Sequence, residues 1–121
     1  MARIAVTDGM APAAVELLEK AGHEVINKPI DLPDLLAGEL SNFDAIIVRS
    51  ATKIPAEVIS ATGERLKVIG RAGVGVDNID IKAAAAAGIP VVNAPRASTQ
   101  SVVELTIGHL LASLRHLPKA N

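Results

Sequence analysis

The chain has 121 residues, a formal net charge of -1, no cysteine and a single aromatic residue, Phe43. That length fits one domain able to bury roughly two-thirds of its unfolded surface without covalent staples, and the missing cysteines exclude disulfides and thiolate chemistry. No basic run marks a nucleic-acid footprint, no apolar run is long enough to span a bilayer, Asp8 interrupts any signal-peptide core, and one ring cannot sandwich a flavin or a base.

In chain order, residues 3–8 read as a short β-branched strand ended by Gly9 and Pro12. Residues 13–21 are helical in composition and stop at Gly22. A second strand is expected over 23–27 and a short helix over 32–40, begun after Pro29 and Pro33. A third, fully buried strand follows over 44–48, and then a helix over 54–61 with Pro55 near its first turn. Residues 66–70 form the fourth strand, 79–87 an alanine-rich helix closed by Gly88, and 89–93 the fifth strand. Strands that are apolar throughout and separated by helices of about ten residues indicate a parallel sheet covered on both faces. The expected fold is α/β: a three-layer, doubly wound, five-stranded sheet of flavodoxin-like order 2-1-3-4-5 with a long C-terminal helix, and with ligands at the carboxyl ends of the strands.

That last helix is expected over 98–117, where Ser101 and Glu104 can form a capping box, Ser98 can cap one turn earlier, and Pro118 stops the run. Val103, Ile107, Leu110, Leu111 and Leu114 make one apolar stripe, and Val102, Leu105, Gly108 and Ala112 begin another. A helix apolar around more than half its girth packs on two partners. The expected organisation is therefore a sheet domain over 1–97 with a helix over 98–121 packed on the same single domain and self-associating through its second stripe.

Chemistry concentrates at the expected carboxyl ends of the strands. Gly70, Gly73 and Gly75 with Arg71 stand where the fourth strand gives way to a helix, and glycine lets successive backbone N–H groups converge on one oxygen while arginine adds a forked donor. Val76 and Asp77 exclude a Walker A loop, and Asn78 stands where a dinucleotide fingerprint begun at Gly73 needs glycine. Asp8 with Thr7, then Arg49, Ser50, Thr52 and Lys53, then Arg71, then Asn93 should share one edge, a site for a small anion with more than one negative group. The competing reading makes Gly73 and Gly75 a tight turn and pairs Arg49 and Arg71 with Asp8, Asp77 or Asp80. His109 and His116 lie about two helical turns apart, too far to chelate one metal, and no metal site is expected.

Four segments carry a family resemblance: 47–53 (Ile-Val-Arg-Ser-Ala-Thr-Lys), 70–80 (Gly-Arg-Ala-Gly-Val-Gly-Val-Asp-Asn-Ile-Asp), 88–95 (Gly-Ile-Pro-Val-Val-Asn-Ala-Pro) and 101–108 (Ser-Val-Val-Glu-Leu-Thr-Ile-Gly). In this order and spacing they resemble the N-terminal substrate-binding domain of the D-isomer-specific 2-hydroxyacid dehydrogenases, in their phosphoglycerate dehydrogenase branch. The resemblance implies NAD-dependent oxidation of 3-phosphoglycerate at its 2-hydroxyl, at the head of serine synthesis, in the cytoplasm. It makes Arg49, Ser50 and Arg71 substrate-contacting positions, the Gly73-Val74-Gly75 backbone a carboxylate cradle and Val74 a neighbour of the nicotinamide. Ser98 falls where relatives carry Asn or Ser. The family's dinucleotide fingerprint and its catalytic Arg, Glu and His are expected downstream of residue 121, so no catalytic residue and no bound cofactor are expected in this chain alone, and a homodimer through the last helix is. A freestanding anion-binding or interaction module of the same fold is the alternative. A phosphoacceptor receiver is disfavoured, since Arg49 and Asn93 stand where it needs Asp and Lys.

Overall fold

The structure, a computed structural model, describes residues 2–10, 12–72 and 76–93. Gly73, Val74, Gly75, Ser98 and the helix expected over 98–117 lie outside the described residues. Strands β1 (Arg3–Val6), β2 (Glu24–Asn27), β3 (Ala45–Val48), β4 (Val68–Arg71) and β5 (Val91–Asn93) alternate with helices α1 (Pro12–Lys20), α2 (Leu32–Leu36), α3 (Ala56–Ala61) and α4 (Ile81–Ala86). Every pairing is parallel and the order is β2-β1-β3-β4-β5, as the apolar strands implied. Parallel neighbours cannot be joined by a hairpin, so each connection crosses a face of the sheet.

Two cores flank the sheet because successive side chains of a strand point to opposite faces. Ile46 and Val48 of β3 and Ile69 of β4 meet Leu35, Val58, Ile59 and Ala84 from α2, α3 and α4. Ala45, Ile47 and Val68 face the other way, with Ala14 and Leu18 of α1. β3 is buried at all of its positions, whereas β2 exposes Glu24 and Asn27, which places β3 inside and β2 at the edge. Full burial of each isoleucine or leucine contributes about 1.5–3 kcal/mol.

Several boundaries depart from the sequence expectation. The helix expected over 32–40 is two pieces, because Gly38 at φ 93 ends α2 and starts a 3-10 turn, Glu39–Asn42. The helices expected from 54 and 79 begin two residues later, because Ile54 and Ile79 pair in a parallel bridge. Pro55 and Asp80 then cap α3 and α4, and the Asp80 carboxylate accepts the Ala83 N–H at 2.9 Å. Arg71, expected in the loop, is the last residue of β4 and pairs with Asn93. Among the described residues no helix is long and apolar enough to cross a membrane.

Polar side chains close the amino edge of the sheet. Asp44 accepts the Arg3 N–H at 2.7 Å and faces the Arg65 guanidinium, while His23 Nδ1 accepts the Ala2 N–H at 2.9 Å. Burial alone pushes the Asp44 carboxyl up, but the Arg3 hydrogen bond and the bond and charge of Arg65, aided by Lys67, hold it below its ordinary 3.8. Burial, with the positive N-terminus, holds His23 below 6.5 against the pull of Asp44. In both cases the unfolded chain binds the proton more readily, so stability present at higher pH is lost on acidification. The first loss begins as pH falls through 6.5 and the second as it falls below 3.8. Urea midpoints of the His23→Asn variant, whose Oδ1 stands where Nδ1 accepts the Ala2 N–H, are expected to stay level across the first step; a decline equal to that of the parent chain would remove His23 as its cause.

Candidate functional site

The register fixes what meets at the carboxyl edge. Val48 pairs with Arg71 and Arg71 with Asn93, so Arg49, one residue past β3, lies diagonal to Arg71 on strands about 4.8 Å apart. The pairing continues past the strand ends, since the Ala72 N–H donates to Val48 O at 2.9 Å. Arg71 is half-buried and its Nη1 donates to Ala72 O at 3.2 Å; Arg49 and Ser50 are exposed. Two forked cations thus stand on neighbouring strand ends, with the exposed Ser50 directly after Arg49.

The turn carrying Arg49 is held from both sides. Asp8 Oδ2 accepts the N–H groups of Arg49 at 2.7 Å and Thr52 at 3.1 Å, and Asp8 Oδ1 accepts the Thr52 hydroxyl at 2.5 Å. Because that proton goes to Asp8, the buried Thr7 hydroxyl, 2.8 Å from Thr52 Oγ1, is the donor of their shared bond. From the other side Asn78 Nδ2 donates to the carbonyls of Arg49 and Thr52, both at 2.7 Å.

These contacts bear on the reading that pairs Arg49 with Asp8 or Asp80. Asp8 serves the backbone and a hydroxyl, Asp80 caps α4, and the described ion pairs, Arg3–Glu24 at 2.6 Å and Arg65–Asp44 at 3.4 Å, lie on the amino edge. The Arg49 guanidinium is in neither pair. Lys53 departs from the expected cluster: with Asp8, Asp31 and Thr52 it lines a cleft of about 280 Å³ over Ile30 and Leu35, which neither Arg49 nor Arg71 lines. Gly73, Val74, Gly75 and Ser98 lie outside the described residues, and among those described no His, Asp and Glu are grouped to hold a metal. Asn78 is the position at this edge whose contacts sequence reasoning passed over. Its one signal was an amide directly after the glycine loop, where only the absence of glycine drew notice.

The model of the D-isomer-specific 2-hydroxyacid dehydrogenase catalytic domain matches residues 4–114. The D-3-phosphoglycerate dehydrogenase of Methanocaldococcus jannaschii is 48% identical over 120 residues, which are 99% of this chain and 22% of that protein. The enzyme of the same name from Rattus norvegicus is 41% identical over 98% of this chain, again 22% of its own length. Among solved structures, the NAD+-bound 3-phosphoglycerate dehydrogenase of Entamoeba histolytica superimposes with a TM-score of 0.62 at 44% identity, covering 74% of this chain and 32% of that one. The chain thus spans about a fifth of the length of the curated relatives it matches. With the family model matched over residues 4–114 and the parallel sheet in the order that the apolar strands implied, the chain belongs to the D-isomer-specific 2-hydroxyacid dehydrogenases.

Proposed function

We propose that the chain is the substrate-binding part of an NAD-dependent D-3-phosphoglycerate dehydrogenase, acting in serine synthesis in the cytoplasm. The observation that carries this reading is the register that sets Arg49 diagonal to Arg71 at the carboxyl edge, with Ser50 beside them. Phosphoglycerate presents a carboxylate and a phosphate, and two planar guanidinium groups answer two such groups bidentately. The Gly73-Val74-Gly75 backbone and Ser98 complete the pocket in this reading.

Among the described residues, the first strand's exit does not fit the cofactor's pyrophosphate. The turn after β1 would have to offer free N–H groups to it, yet it presents the Asp8 carboxylate, which repels phosphate. NAD is therefore assigned to the remainder of the enzyme, with Val74 beside the nicotinamide, and the hydride acceptor and proton-transfer groups lie there too. The 121 residues alone supply binding without turnover.

The helix over 98–117 is assigned to the same domain and to a homodimer contact. Support comes from the sequence of that stretch, whose two adjoining apolar stripes call for two packing partners.

Each charge-assisted bond contributes about 1.5–3 kcal/mol, while immobilisation takes back about 4 kcal/mol or more, so the isolated part should bind at about -4 kcal/mol, a Kd on the order of millimolar. In an NMR titration, 3-phosphoglycerate and inorganic phosphate are expected to shift the amides of Arg49, Ser50 and 71–75, and an uncharged polyol is not. Arg71→Ala and added salt should both weaken the response. Shifts clustered elsewhere, or none at tens of millimolar ligand, would overturn the assignment.

A further inference from the structure

We propose that Asp8 and Asn78 are positioning residues for the anion site, gripping the Arg49 backbone from two sides at the strand end next to that of Arg71. The proposal rests on the anion-binding reading of this edge. Arg49, Ser50 and Ala51 are exposed, and an exposed turn ordinarily leaves its peptide groups to water. Here the Arg49 N–H goes to Asp8 and its carbonyl to Asn78, and Thr52 is bound by the same two side chains. Peptide groups taken at both ends of the turn fix the direction in which Arg49 and Ser50 leave the backbone.

The clamps themselves stand on rigid elements. Asp8 follows β1, where the Thr7 N–H donates to Ile47 O at 3.3 Å. Asn78 sits in the bridge that joins the loops before α3 and α4: its carbonyl accepts the Ile54 N–H at 2.7 Å, and the Asp80 N–H returns to Ile54 O at 2.9 Å. A binding group placed by locked neighbours keeps its geometry when the ligand arrives.

A carboxylate near an anion site opposes binding by charge, so electrostatics alone favours a neutral residue there. An ionised carboxylate, however, accepts at both oxygens and satisfies all three donors, whereas asparagine offers one oxygen and turns an NH2 group toward the rest. Positioning and charge therefore predict opposite outcomes for Asp8→Asn.

The test is an amide-resolved titration of the full chain with inorganic phosphate, at a temperature where each variant gives a dispersed spectrum. Asp8→Asn is expected to raise the Kd about tenfold despite removing a negative charge, as for the loss of one charge-assisted contact, and Asn78→Ala to do the same. Thr62→Val, which removes a hydroxyl bonded to Ile59 O at the end of α3, away from the carboxyl edge, should destabilise the chain and leave the Kd unchanged. Equal or tighter binding by Asp8→Asn would show that Asp8 acts through charge, and a matching loss in Thr62→Val would show that affinity follows stability; either overturns the proposal. Should Asp8→Asn fail to fold, Asn78→Ala carries the test, and an unchanged Kd there overturns it. A parent chain silent at Arg49 and Ser50 would instead remove the anion site itself, and this inference with it.

Discussion

Phe43→Ala is expected to lower stability by about 3–5 kcal/mol, the cost of removing a large buried ring and leaving a cavity. Phe43 is 1% exposed and stands at the junction of the 3-10 turn and β3. It packs in the core that joins β3 and β4 to α2, α3 and α4. On its outer side the Arg3 guanidinium lies 4.8 Å from the ring centroid, a contact that contributes about 0.5–1 kcal/mol at an exposed site and is lost with the ring. Against a total stability of about 5–15 kcal/mol the change is large, and melting should fall by roughly 10–20 °C. Phe43 lies at the amino edge, so phosphate-induced shifts of Arg49 and Ser50 should persist in the variant at low temperature. A loss under about 1 kcal/mol would mean that the surrounding side chains collapse into the space.

The sheet was legible because burial on two faces leaves a plain record: β3 is Ala-Ile-Ile-Val with no polar position, which an amphipathic strand could not be. Strand order followed from helices long enough to cross and from short connections. What was not legible depended on single backbone states. Leu32 to Leu40 has a helical apolar spacing, and propensity alone does not say that Gly38 will take a positive φ and divide it. The early starts expected for α3 and α4 failed for another reason. Ile54 and Ile79 are apolar enough to belong to either helix, and their pairing across 25 residues is a tertiary event.

The carboxyl-edge position of Arg49 and Arg71 was legible, and the contacts that hold the Arg49 turn were not. Arginine directly after an apolar strand is a local pattern, and topology then brings two such arginines together. Asp8 invited the simpler reading of an ion pair because charge is visible in a sequence, whereas a carboxylate accepting backbone N–H groups 41 and 44 residues away is not. Asn78 reaches 29 and 26 residues back to two carbonyls, and nothing in its neighbours announces it. Residues that act on other residues' backbones leave no periodicity to read.

Gly38→Val is expected to cost about 3 kcal/mol or more, from two separable terms. Gly38 has φ +93, where a side chain costs about 1–2 kcal/mol and a β-branched one more. A Cβ there would also stand 3.2 Å from the backbone oxygen of Ala61, at the last residue of α3, where the chain is held by the Thr62 N–H and hydroxyl bonds to Ile59 O. Gly22 supplies the control, since it has the same φ of +93 and nothing within 4 Å of the added atom. Gly22→Ala therefore reads the conformational term alone, and Gly38→Ala reads that term plus the contact. Urea unfolding should rank Gly38→Val below Gly38→Ala, and Gly38→Ala below Gly22→Ala, in stability. Equal losses for the two alanine variants would show that α3 moves aside at no cost, and the division of the 32–40 segment would then rest on backbone conformation without help from packing.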